Sequence, residues 1–152
     1  MRILAAVLLW AACCALPAWA EDGDDALRAT VDRHLAAINA RDLDALLATV
    51  TRREALTTIL PNGKVLETRA QYRRLHEEWF AGTDWRMAFT VQDVRLFGDV
   101  GIARVHYDSQ RRDAAGGYSS SRVALLTLAF AREDGDWRLV YDQNTVIPPA
   151  TP

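Results

Sequence analysis

The sequence predicts an α+β domain, with helices first and antiparallel strands last. Apolar residues recur at helical spacing early in the chain, at Leu27, Val31, Leu35 and Ile38 with His34 in the same stripe. From Trp85 onward, long β-branched and aromatic segments are separated by short glycine turns. Helices grouped ahead of strands, instead of alternating with them, favour helices packed on one face of a strongly curved antiparallel sheet.

Taken in order, the chain opens with Arg2, an almost unbroken apolar run from Ile3 to Leu16, and Ala18-Trp19-Ala20. This is the pattern of an export signal with an A-x-A cleavage site, so residues 1–20 read as a signal peptide and 21–152 as one domain. Ala12-Cys13 also resembles a lipoprotein processing site, although Trp10 suits it poorly. The first helix follows, with Asp24 or Asp25 as its expected N-cap. Asn39-Ala40-Arg41-Asp42 breaks it, and Asp42 caps a short second helix carrying Leu43, Leu46, Leu47 and Val50. Leu56–Leu60 and Lys64–Glu67 then flank Pro61-Asn62-Gly63, where an Asn-Gly pair supplies the positive φ angles of a hairpin. Thr68 with Gln71 forms a capping box for a third helix, whose stripe is Tyr72, Leu75, His76, Trp79 and Phe80 before the stop at Gly82.

Four strands close the domain: Trp85–Phe97, Val100–Asp108, Arg122–Arg132 and Trp137–Ile147. Their turns are Gly98-Asp99, Ala114-Ala115-Gly116-Gly117 and Glu133-Asp134-Gly135-Asp136. The polar segments Ser109–Asp113 and Tyr118–Ser121 are expected to project from the sheet.

Composition narrows the function classes. Half of the 152 residues are hydrophobic and a quarter are charged, with a formal net charge of -2. Both cysteines, Cys13 and Cys14, lie in the signal segment, so the mature domain has no thiol for disulfides, nucleophilic catalysis or zinc. The arginines are scattered among carboxylates, which argues against nucleic acid as a partner. Apart from the signal segment, no run is long and apolar enough to span a membrane.

His34-Leu35-Ala36-Ala37-Ile38-Asn39-Ala40-Arg41-Asp42-Leu43-Asp44, the hairpin Pro61-Asn62-Gly63-Lys64 and the closing Gly135–Thr145 segment carry a resemblance across the whole mature domain. With them the chain resembles the nuclear transport factor 2-like superfamily, and within it the SnoaL-like, ketosteroid isomerase-related branch. The resemblance implies a cone: three helices over a bent sheet, a pocket at the wide end, and a homodimer through the sheet's outer face. Ketosteroid isomerases need a carboxylate base and a hydrogen-bond donor for the enolate oxygen. By resemblance, the donor position holds His34 and the base position Thr58. A threonine hydroxyl cannot take a proton from carbon at neutral pH, so isomerase chemistry is not expected.

The candidate ligand-pocket residues are His34, Thr58, Trp79, Trp85, His106, Asp142 and Asn144, with His34 and Asp142 as candidate catalytic groups. His34 is either a pocket acid/base or a satisfied core histidine. His76 is expected in core packing. Either His106 with Ile102, Arg104 and Asp108, or Ala103 with Val105 and Tyr107, faces the cone. On the last strand, the resemblance places Asp142 and Asn144 at the pocket and Trp137 and Leu139 in packing. A bulge that reverses the parity would substitute Tyr141 and Gln143. Asp142 is a base or an ion-pair partner of Arg104 or Arg122.

Trp79, Phe80, Trp85 and Phe89 read as core, with Trp79 or Trp85 able to meet a flat ligand at the lip. The spacing of the three histidines matches no metal motif, and no phosphate loop or serine-hydrolase setting is present, so neither metal nor cofactor is expected. The leading expectation is an exported, homodimeric domain binding a small, partly apolar molecule. The alternatives are a cyclase, isomerase or hydrolase using His34 and Asp142, or an interaction module acting through its sheet surface.

Overall fold

The computed structural model describes residues 19–149, with side chains from residue 24 onward, so the signal segment up to residue 18 lies outside the described residues. The elements run α1 (Trp19–Ala40), α2 (Leu43–Ala48), β1 (Ala55–Ile59), β2 (Val65–Thr68), α3 (Arg69–Phe80), β3 (Trp85–Phe97), β4 (Val100–Arg112), β5 (Tyr118–Glu133) and β6 (Asp136–Val146). One curved sheet ordered β2-β1-β6-β5-β4-β3 carries the helices on one face. The sheet is not wholly antiparallel: β1 pairs with β6 in parallel, Thr58 opposite Asp142. No helix among the described residues is long and apolar enough to cross a membrane.

Local signals account for most of the element boundaries. Asp42 caps α2 by accepting from the Ala45 N–H at 2.9 Å. Thr68 and Gln71 form the reciprocal capping box that starts α3. The expected N-cap at Asp24 or Asp25 is displaced, because the backbone of α1 is already helical from Trp19. Asp24 and Asp25 are the sixth and seventh residues of the helix, beyond its first turn.

At the Pro61-Asn62-Gly63 turn only Gly63 takes a positive φ, of 82°. Asn62 contributes instead through its side chain, which accepts from the Lys64 N–H at 3.1 Å. The polar segments around the second long turn do not project. They continue the ladder, pairing Gln110 with Ser120 and Arg112 with Tyr118, and the Ser120 hydroxyl donates to Asp108 across the strands.

The core forms where α1 and α2 meet the covered face of β4, β5 and β6. Leu27, Val31, Leu46, Val50, Val105, Leu128, Phe130 and Leu139 are fully buried. Each contributes roughly 1.5–3 kcal/mol through burial. The inward parity is regular on β4 (Ala103, Val105, Tyr107) and β5 (Ala124, Leu126, Leu128, Phe130).

On β6 the parity breaks. The ladder to β5 slips between Ala129 and Phe130, which pair with Tyr141 and Leu139 and leave Val140 as the extra residue of a bulge. Trp137 and Leu139 before it, and Asp142 after it, are therefore all buried. The α2–β1 connection is sewn to the same place, since the Thr51 N–H donates to the Leu139 carbonyl and the Leu139 N–H to that of Thr49.

At the closed end, α1 approaches the sheet so closely that a Cβ added at Gly101 would fall inside the Leu27 side chain. Gly101→Ala is expected to destabilise the domain by about 1–3 kcal/mol in urea unfolding, as overpacked sites do. Leu27→Ala should recover part of that loss in the double variant, giving a non-additive pair.

Candidate functional site

At the other end of the covered face, the C-terminal end of α1, the β1 turn and α3 stand off from β3–β6 and leave a cavity of about 250 Å³. One wall is aromatic. Trp79 from α3 and Trp85 from β3 stack at 4.4 Å, and the Trp85 indole N–H donates to the Trp79 carbonyl at 3.1 Å. The Arg41 guanidinium lies 4.3 Å over Trp85. Arg41 ends α1 in the left-handed region, at φ 55°. Met87, Phe89, Leu75 and Leu126 complete the apolar lining.

The polar side comes from three strands of the sheet: Thr58 on β1, Asp142 and Asn144 on the neighbouring β6, and Tyr107 on β4 beyond β5. The Tyr107 hydroxyl donates to Asn144 Oδ1 at 2.9 Å, which fixes the amide orientation. Asn144 Nδ2 then donates to the Ile59 carbonyl at 3.0 Å and reaches Asp142 Oδ1 at 3.4 Å. Asp142 has no ion-pair partner among the described residues. Arg104, one of the two expected partners, lies near Asp93 instead. Burial without a counter-charge raises the Asp142 carboxyl to about 7. The Thr58 hydroxyl is buried and unused by the protein, as is that of Tyr72. Burial and the Asp142 charge push the Tyr72 phenol upward, keeping it a neutral donor.

Both inward histidines are neutral. His34 is buried but does not line the cavity; its edge meets Phe130 in a T-shaped contact. Thr49 Oγ1 donates to the Leu46 carbonyl and must therefore accept from His34 Nδ1, 2.8 Å away, so Nδ1 carries the proton. Burial, reinforced by the nearby His76, lowers His34 to about 3. His76 is buried against Tyr72, Trp79 and Phe80 and also lines the cavity, and its Nδ1 donates to the Tyr72 carbonyl at 2.9 Å. Burial lowers His76 to about 4.

Of the candidates, Thr58, Trp79, Trp85, Asp142 and Asn144 are brought together around the cavity, while His34 and His106 are not. His34 sits one layer deeper, because its position on α1 points at Phe130 and Thr49. His106 occupies the uncovered face, opposite Thr90 and Leu125, since the apolar parity of β4 belongs to Ala103, Val105 and Tyr107. Tyr107, His76, Arg111 and Arg122 were not among the candidates. The apolar alternation of β4 was the one signal that could have singled out Tyr107. No group of three His, Cys, Asp or Glu side chains among the described residues is arranged to hold a metal ion.

The SnoaL-like domain family matches residues 27–148. The chain belongs to that family. Solved structures of low identity share its fold. One is a nuclear transport factor 2-like protein with a cystatin-like fold from Novosphingobium aromaticivorans (TM-score 0.71, 21% identity, 87% of each chain covered). A ketosteroid isomerase-like protein from Erwinia carotovora atroseptica is 16% identical, with a TM-score of 0.69 over 84% of this chain and 98% of that one. A protein with a cystatin-like fold from Caulobacter vibrioides is 18% identical, with a TM-score of 0.70 over 84% of this chain and 92% of that one. At these identities the likeness concerns the fold. No curated protein matches the chain.

The raised Asp142 carboxyl makes stability depend on pH with a definite sign. Below the unfolded value near 3.8 the group is neutral in both states, so its burial carries no ionisation penalty. The penalty grows as pH rises toward 7 and is complete above it. Asp142→Asn removes this dependence while leaving the histidine contributions in place. Its stability relative to the parent is therefore expected to rise by about 2–3 kcal/mol between pH 5 and pH 8, as measured by chemical unfolding.

Proposed function

We propose that this SnoaL-like domain binds a small, partly apolar molecule in the cavity beneath α3, with Asp142 and Thr58 as its polar anchors. The observation that carries the reading is Asp142 itself. It is a buried carboxyl without a counter-cation among the described residues, at the edge of an aromatic-lined cavity, and a bound polar group would relieve its isolation. Thr58 adds an unused hydroxyl one strand away in direct register.

A second reading, an enzyme working by proton transfer, is favoured by one observation. The Asp142 carboxyl at about 7 is poised to give or take a proton at neutral pH. In that reading Asp142 acts without His34, which does not reach the cavity. Asp142 also occupies the position across from Thr58, where the resemblance to ketosteroid isomerases places their base.

The export pattern and the sheet's uncovered face extend the proposal to an exported homodimer. Ile102, Leu125 and Val123 share that uncovered face, and no helix among the described residues covers it. Light scattering at micromolar concentration should give twice the monomer mass, and a monomer would remove the dimer from the proposal.

Native mass spectrometry of the protein purified from its own host should show a chain beginning at Glu21 that retains a small molecule. Asp142→Asn should reduce that occupancy at least tenfold. Full occupancy in the variant would contradict the anchoring role. A turnover rate that rises through a midpoint near pH 7 and is lost in Asp142→Asn would favour the enzymatic reading.

A further inference from the structure

Two cations line the cavity in addition to the groups above, Arg111 of β4 and Arg122 of β5. They are not equivalent. Arg111 Nη1 is held by Asp84 at 2.7 Å, whereas Arg122 has no carboxylate within ion-pair distance among the described residues. An exposed arginine is ordinarily just solvated surface. Arg122 differs because it borders the cavity, on the same lining as Tyr107.

The Tyr107 proton is already committed to Asn144, and the Asn144 amide points on to Asp142. Tyr107, Asn144 and Asp142 thus form a chain of directed hydrogen bonds along one wall of the cavity, which Arg122 also borders.

We propose that the cavity selects small cyclic carboxylates. The carboxylate sits on Arg122 at the mouth, the ring lies along the Trp79–Trp85 wall, and an uncharged polar group reaches Thr58 and Asp142. This inference rests on the cavity being the binding site, as proposed above, and adds the class of ligand.

The charge arrangement drives the choice. Arg122 and Arg111 disfavour a ligand whose outward end is cationic and attract an anion. At the inner end the one acid is Asp142, which disfavours a second negative charge there. Between the two ends the lining is apolar and aromatic. A volume of about 250 Å³ suits a molecule of one or two rings. A guanidinium pairs bidentately with a carboxylate, so the neutral amide of the same skeleton loses the charge and half of the matching acceptor geometry.

The test is a matched pair of probes, trans-cinnamate and trans-cinnamamide, titrated calorimetrically into the purified protein at pH 7. Cinnamate is expected to bind at least tenfold more tightly than the amide. Arg122→Gln should erase that preference, weakening cinnamate binding at least tenfold and cinnamamide binding far less. Because Arg122 is exposed, the variant should unfold with the parent, which circular dichroism checks. Equal binding of acid and amide, or a preference that survives Arg122→Gln, overturns the carboxylate assignment and leaves the cavity a binding site. Binding of neither probe, together with no retained molecule in the native protein, overturns the assignment and the cavity reading beneath it. A retained molecule that is neutral overturns the assignment alone.

Discussion

A single extra residue in the last strand controls most of what this domain is. In an unbroken strand, side chains alternate strictly, and Leu139 and Asp142 would then face opposite sides of the sheet. The bulge at Val140 lets Trp137 and Leu139 finish the core and still turns Asp142 inward a few ångströms further along. The same segment receives β1 in parallel and holds the connection from α2 by two main-chain hydrogen bonds. The slip in register therefore lies where the apolar layer ends and the polar floor begins.

Electrostatically, that floor is held close to neutrality. His34 and His76 each give the Nδ1 proton to an oxygen, and burial makes a second proton unfavourable on either ring. Tyr72 stays un-ionised for the same reason. Among the described residues of that floor, Asp142 is the group that changes charge near neutral pH, and none of them forms an ion pair with it. A polar group entering the cavity meets a carboxyl able to donate when protonated and accept when ionised. The aromatic wall opposite is braced from behind by Arg41, so the cavity has one rigid side and one titratable side.

Much of the architecture was legible in the chain because its signals are local. A side chain three residues from the backbone group it satisfies, as at Asp42 or in the Thr68–Gln71 box, can be read without knowing the fold. The long late strands declared themselves through their composition and glycine turns. What stayed hidden depends on partners distant in sequence. The parallel pairing of β1 with β6 joins segments far apart in the chain, and the bulge at Val140 exists only relative to β5.

The site follows the same division. The resemblance placed Asp142 and Asn144 at the pocket with Trp137 and Leu139 in packing, and one insertion in the strand reconciles those two placements. The face on which His106 lies was undecided because β4 alternates polar and apolar residues with no external reference. His34 fell one layer short because a helical stripe gives direction but not depth. Arg122 was expected only as an ion-pair partner of Asp142, and a linear string does not show that it borders the cavity without one.

The near-contact between α1 and the sheet at Gly101 has a wider consequence. That end of the domain tolerates almost no change in shape, and it lies apart from the cavity, whose walls are mostly side chains around open space. Tight packing and the proposed binding cavity thus lie at opposite poles of one small body. Exchange of a few wall residues at the roomy pole would alter which guest is accepted while the tight pole kept the scaffold intact. Such a division of labour gives a domain of this size freedom to acquire new chemistries without relearning how to fold.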